Sequence, residues 1–281
     1  MSDLILVDQH GAVRWLTLNR PEKLNALSHD MVGELSAALT AAEKDESTKV
    51  VVLSGSGRAF CAGFDLTEEA GEGIEGADTW HDILRRDIDV TMQLWSLSKP
   101  TVAAVHGWCL AGGCDLAMAC DMVIASSDAR FGEPEIRYGS GPATMLMPFV
   151  LGEKKTNELL FTGDSLSAAE AERIGLVNHV VDDHDLRSAI DALCAKITPT
   201  PAGTLRYTKL ALTRAYEAMG LRTAVSANHD LSAILNSLDS PEQQAFDERV
   251  RTQGLRSALA WRDARYAPPP APSDLDRSPE P

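Results

Sequence analysis

Apolar and polar positions follow two different periods along the first two thirds of this 281-residue chain. Two short β-rich runs, LILVDQ and VRWLTLNRP, flank a His10-Gly11 turn, and Pro21 ends the second. The next segment, SHDMVGELSAALTAAEKD, has helical spacing: Met31, Leu35, Ala38 and Leu39 share one face, and Ser28 stands where a cap is needed. KVVVLSGSG reads as a buried strand entering a turn. TVAAVHG and MVIASS repeat the strand theme, with GGCDLAMACD as the helix between them. This order predicts an α/β architecture of repeated strand and helix units, without a long sequence repeat. From about Pro199 the strand signal fades. Three helical stretches follow, TPAGTLRYTKLALTRAYEAMG, LRTAVSANHDLSAILNS and PEQQAFDERVRTQGLRSALAWRDARY. The expected organisation is a core over 1–198, a helical region over 199–266, and a proline-dense, acidic tail over 267–281 that reads as disordered.

Composition narrows the function classes. A hydrophobic content of 44% and a charged content of 24% suit a globular fold, and no apolar run approaches the length of a membrane span. The opening MSDLILVDQHG has no basic flank and no small-residue cleavage site, so a cytoplasmic protein is expected. A net charge of -15 argues against nucleic acid and anionic membranes as partners, but a few local cations and backbone amides still suffice for a phosphorylated ligand. The five cysteines include no Cys-x-x-Cys pair and read as reduced thiols; Cys109, Cys114 and Cys120 cluster without zinc spacing, so no metal site is expected. GEGIEG, Gly71 to Gly76, matches a dinucleotide-binding pattern literally. It lacks the preceding strand and carries two glutamates that would repel a pyrophosphate, so it reads as a mobile surface loop.

Two turns share one physical character. In SGSGRAFCAGFDL a buried strand and a glycine turn lead to Ala62-Gly63-Phe64; in VAAVHGWCLAGGCDLAMACD they lead to Ala111-Gly112-Gly113 at the start of a helix. Glycine lets the backbone approach a ligand, and the first amides of a helix point outward without internal partners. Facing each other, two such turns would offer a pair of donors to one carbonyl oxygen; apart, they are ordinary glycine turns. Asp115 follows in the first turn of that helix with little polar company, where it either complements the helix dipole or serves chemistry.

NRPEKLNAL, FCAGFDL, KPTVAAVHGWCLAGGCDLAMACDMVIASSDARFGEPEI and LLFTGDSLSAAEAERIGLVNHVV together resemble the crotonase, or enoyl-CoA hydratase/isomerase, family, in the family's order and over roughly Leu4 to Val181. The resemblance implies a spiral of strand-strand-helix units with a C-terminal helical trimerisation region. It also implies acyl-CoA thioester substrates, assembly as trimers or paired trimers, and no metal or redox cofactor. It puts the two oxyanion donors on the backbone amides of Phe64 and Gly112. It puts the two hydratase carboxylates at Asp115, to orient water, and Glu135, to exchange the proton next to the thioester. Both need a dry pocket to bring their pKa values toward working pH. Coenzyme A contacts are implied at Lys23, Leu24, Arg58 and Ala62, with Arg262 reaching a coenzyme A on a neighbouring subunit, and Trp108 and Pro142 are expected at the acyl pocket. His106 reads as a structural histidine.

Two departures from the family pattern bear on activity. Asp115 replaces the usual glutamate, which draws its oxygens back by about 1.5 Å, one C–C bond. Dienoyl-CoA isomerases of the family also have aspartate there, but they carry a further aspartate where this chain has Ala143. In place of a glycine-rich PGAGGT stretch, Pro142 is followed by Ala-Thr-Met-Leu-Met, with Met145, Leu146, Met147 and Phe149 read as helix core. The expected activity is hydration of 2-trans-enoyl-CoA to 3-hydroxyacyl-CoA. The alternatives are 3-enoyl to 2-enoyl-CoA isomerisation by Glu135 alone and a CoA-thioester binding protein with lapsed catalysis.

Overall fold

The computed structural model describes residues 3–72, 74–238 and 240–266; the tail expected to be disordered, 267–281, lies outside the described residues. The first two predicted strands, β1 (Ile5–His10) and β2 (Val13–Leu18), pair as an antiparallel hairpin. Ser28 caps α1 (His29–Lys44), its hydroxyl accepting from the Met31 amide at 3.3 Å, and α1 buries Met31, Leu35 and Leu39 along the expected stripe.

The chain then repeats one motif. β3 (Val50–Gly55) and β4 (Ala59–Cys61) precede α2 (Leu66–Glu72) and α3 (Ala77–Ser96). β5 (Thr101–Val105) and β6 (Trp108–Leu110) precede α4 (Gly112–Ala119). β7 (Met122–Ser126) and β8 (Arg130–Gly132) precede α5 (Met147–Val150) and α6 (Glu153–Thr162). In each unit the first strand enters a six-stranded sheet of order β1-β2-β3-β5-β7-β10, and the second enters a four-stranded sheet of order β4-β6-β8-β9. The remaining members are β9 (Ser165–Ser167), α7 (Ala168–Arg173), β10 (His179–Val181) and α8 (Leu186–Ile197). Within the larger sheet every pairing after the first hairpin is parallel, so its central strands are covered on both faces and read as continuous apolar runs.

The two faces of β3 separate the core. Val51 and Leu53 join the main cluster with Leu35, Leu94, Leu116 and Phe131, while Val50 and Val52 meet Ile190 and Cys194 of α8 on the other side. Of GEGIEG, Gly71 and Glu72 end α2 and Gly76 precedes α3, so a helix rather than a strand leads into the segment, and the context of a dinucleotide site is missing.

From Ala202 the chain is helical: α9 (Ala202–Ala218), α10 (Leu221–Ser237), α11 (Pro241–Gln253) and α12 (Leu255–Ala264). α10 packs along α3 and contributes Leu221, Val225 and Ala233 to the main core. α11 and α12 return to the spiral, where Phe246, Val250 and Ala258 form a small cluster with Tyr138 and the edge of α2. Among the described residues no helix is long and apolar enough to cross a membrane.

Candidate active site

The two glycine turns meet. The Leu27 amide donates to the Gly63 carbonyl at 2.8 Å and the Asp65 amide to the Leu27 carbonyl at 3.1 Å. In that parallel bridge the Phe64 N–H is left pointing away from Leu27. Gly112 is the first residue of α4, so its N–H has no acceptor within the helix. A methyl group on Gly63 would stand 2.5 Å from the Ala111 side chain and 3.4 Å from the Gly112 nitrogen, which places the turns in contact. A methyl on Gly112 would strike the Phe64 ring at 2.5 Å, and one on Gly113 would strike the Cys61 carbonyl oxygen at 2.4 Å. Ala111, between them, has φ 54° and ψ -131°, a conformation that costs a side-chain-bearing residue about 1–3 kcal/mol and is held only by firm surroundings.

A third segment braces the first turn. Leu24 and Asn25 both take positive φ, and the Leu24 carbonyl accepts from the Ala62 amide at 3.0 Å. The buried Asn25 amide donates to the Ser56 and Ala59 carbonyls at 2.8 Å each. These contacts present Lys23, Leu24 and Ala62 at one wall of a cavity of about 790 Å³ that Phe64 and Ala111 also line. Trp108, 43% exposed, and Glu135 line it too. Arg262 reaches the cavity from α12 of the same chain, where its guanidinium pairs with Asp263 at 2.8 Å and faces Glu135. Arg58 and Pro142 are not among the residues that line the cavity; the Pro142 carbonyl instead accepts from Asn228 at 2.8 Å. His106 Nε2 donates to the Gly57 carbonyl at 2.9 Å, the structural role expected of it.

The carboxylates are buried as a group. Glu135 is 7% exposed and stands on the short 3-10 helix Pro134–Tyr138; burial pushes its pKa up to about 7, with Asp115 adding to the rise and Arg262 opposing it. Asp115 is 1% exposed, and burial lifts it to about 6 against the lowering effect of Thr144, whose hydroxyl donates to one carboxylate oxygen while its amide lies 3.4 Å from the other. Asp115 does not itself line the cavity; Ala143, next to Thr144, does. A third acid, Glu133, is 1% exposed, and neither of its carboxyl oxygens has a hydrogen-bond partner among the described residues. Burial, then Glu135 and Asp115, hold its pKa far above the usual carboxylate range and favour its neutral form. Sequence reasoning left Glu133 without a role and missed Thr144. The paired acids of FGEPE and the irregular Pro142-Ala-Thr segment were the available signals.

This arrangement can polarise a carbonyl between two amides and exchange a proton beside it. Residues 8–253 match the family model described as enoyl-CoA hydratase/isomerase. A probable enoyl-CoA hydratase of Mycobacterium tuberculosis is 38% identical over 77% of this chain and 83% of its own length. The short-chain-enoyl-CoA hydratase of Clostridium acetobutylicum is 33% identical over 90% of this chain and 98% of its own. Among solved structures, an enoyl-CoA hydratase/isomerase from Xanthobacter autotrophicus Py2 superposes with a TM-score of 0.92 at 42% identity, covering 94% of this chain and 99% of that one.

Proposed function

The chain belongs to the enoyl-CoA hydratase/isomerase family, and from that premise we infer that it is an enoyl-CoA hydratase working through Glu135 and Asp115. The thioester carbonyl sits between the amides of Phe64 and Gly112, each donor contributing about 3–4 kcal/mol to the enolate-like transition state. Water adds its oxygen to the β-carbon and gives a proton to Asp115, while Glu135 delivers its proton to the α-carbon on the same face. The α-proton on Glu135 is restored from Asp115 through solvent, so the pair holds one proton before and after turnover. The observation that carries this reading is the contact of the two amide turns on a wall shared with the buried Glu135.

Lys23, Leu24, Ala62 and Arg262 hold the coenzyme A moiety, the cations meeting its phosphates. Trp108 borders the acyl group. No metal or redox cofactor takes part. Assembly as a trimer or paired trimers is supported by the apolar side chains that α9, α10 and the turn between them leave exposed, Tyr207, Leu212, Met219, Leu231 and Ile234. The spiral over 1–198 supplies the site and the helices over 199–266 the subunit contacts, and the protein works in the cytoplasm. Purified protein is assayed with crotonyl-CoA by loss of enoyl absorbance: hydration that disappears in Asp115→Ala and Glu135→Gln supports the reading, and absence of hydration overturns it.

One observation favours a second reading. Asp115 stands behind Ala143 and Thr144, off the cavity lining, whereas Glu135 is on it. Glu135 alone would suffice to move a proton between carbons of a 3-enoyl-CoA. Isomerisation that survives Asp115→Ala, without crotonyl-CoA hydration in the wild type, selects it.

A further inference from the structure

α3 turns Trp80, Leu84 and Asp87 toward the cavity, a spacing of four and then three residues that lines up one helix face. Two members of this stripe are apolar and the third is a carboxylic acid whose side chain is only 4% exposed. Its nearest cation is Arg86, with Nε 3.6 Å from the carboxyl oxygen, beyond hydrogen-bond length. That Nε is itself buried without a hydrogen-bond partner among the described residues. The Asp87 backbone carbonyl accepts from the Thr91 hydroxyl at 3.1 Å, while its carboxyl group has Arg86 as its partner, through one long contact. Burial raises Asp87 to about 7, opposed by Arg86 and assisted by Glu68.

A buried acid held by a single long contact is costly, and packing does not ask for one here, since a leucine would extend the apolar stripe. A group entering from the cavity completes the pairing that Arg86 leaves long. A hydroxyl serves both protonation states, donating to the carboxylate or accepting from the acid. At Asp87 itself a second carboxylate or a phosphate would be repelled by the ionised carboxyl group and by Glu68, which already raises its pKa. We propose that Asp87 is a specificity residue of the acyl pocket and selects acyl chains that carry a hydroxyl group. This rests on the hydratase reading and names its substrate class. The preference follows from differential pairing: an alkyl chain of equal length fills the pocket but leaves the carboxyl with only its long contact to Arg86.

The test compares 2-enoyl-CoA substrates of four to eight carbons with and without a terminal hydroxyl. At the length that reaches Asp87, the wild type is expected to show kcat/KM at least tenfold higher for the hydroxylated chain. Asp87→Leu should reverse the order, and Asp87→Asn, which keeps a hydrogen-bonding group, should retain part of the preference. Because the readout is a ratio of two substrates in one preparation, partial unfolding of a variant does not move it. Equal preference at every length, or a preference that persists in Asp87→Leu, overturns the proposal. If neither series is hydrated, the hydratase reading fails instead. The same comparison is then made by calorimetric binding of saturated hydroxyacyl-CoA and acyl-CoA, where equal affinities overturn the Asp87 assignment.

Discussion

Thr144 holds Asp115 from two directions, its hydroxyl donating to one carboxylate oxygen and its amide lying 3.4 Å from the other. The two residues are 29 positions apart, and the bond ties the first turn of α4 to the segment that follows the short helix bearing Glu135. Both bonds favour the ionised aspartate and limit the rise that burial imposes.

Removing the hydroxyl therefore has a signed consequence. Thr144→Val keeps the shape and deletes the donor, so Asp115 becomes harder to ionise. The acid limb of kcat/KM for crotonyl-CoA hydration is expected to move to higher pH by roughly one unit, with activity at pH 7 reduced several-fold. A pH series on the variant measures this directly, and an unmoved limb would show that Asp115 does not work as an anion.

With Asp115 at about 6 and Glu135 at about 7, the pair holds one proton only over a narrow range. Hydration should show a bell-shaped kcat/KM profile with its maximum between those values, the limbs belonging to the pair as a whole. Stability has the opposite simple form. Glu135 binds its proton more tightly folded than unfolded, so folding stability falls as pH rises from the unfolded value through about 7. Glu135→Gln should melt roughly 5 °C above the wild type at pH 8.5, with the gap closing near pH 5. Thermal scans at the two pH values decide it.

The glycines of α4 separate catalysis from stability. Gly112→Ala drives a methyl into the Phe64 ring at 2.5 Å, so the ring must move, and with it the packing around the turn that carries the Phe64 amide. A fall in kcat of about 10²-fold is expected, with KM changed less. Gly113→Ala meets the Cys61 backbone carbonyl at 2.4 Å, which cannot rotate away, and should cost about 1–3 kcal/mol of stability. Crotonyl-CoA kinetics beside thermal melts distinguish the two.

Glu133 tests the charge count of the buried group. Burial favours the neutral form of Glu133, and glutamine matches that form in charge, so Glu133→Gln should leave the Glu135 limb within about 0.3 pH units of the wild type. If Glu133 were an anion, the same change would drop that limb by a unit or more. The other charged and titratable groups facing this cluster are Asp115 and Cys114 of α4, Cys109 of β6, Tyr138, and Arg262 of α12, all untouched by the substitution.

The long elements were legible because one period extends over many residues: α1 with its Ser28 cap, and β2, β3, β5 and β7 as apolar runs. The whole four-stranded sheet escaped pattern reading. β4, β6, β8 and β9 are three residues each, too short for any period to declare itself, and they came only with the family resemblance. The two turns were visible as glycine motifs, but their contact depends on the fold bringing Gly63 to Ala111, 48 positions away. Asp115 was legible as an acid among apolar neighbours. Thr144 and Asp87 were not, since a threonine in an irregular loop and an acid in a mixed helix have many possible environments.

Arg262, on the last described helix, completes a cavity whose other walls come from the spiral. A ribosome therefore releases the strands, both amide turns and the acids Asp115, Glu133 and Glu135 well before Arg262, the residue whose charge opposes the rise of Glu135. The unfinished chain holds its acids beside an open trough, and the guanidinium arrives only with the last turns of helix. Closure of the cavity thus waits for α12, and a nascent chain stalled before Leu255 carries these acids without the wall that Leu255, Leu259 and Arg262 supply.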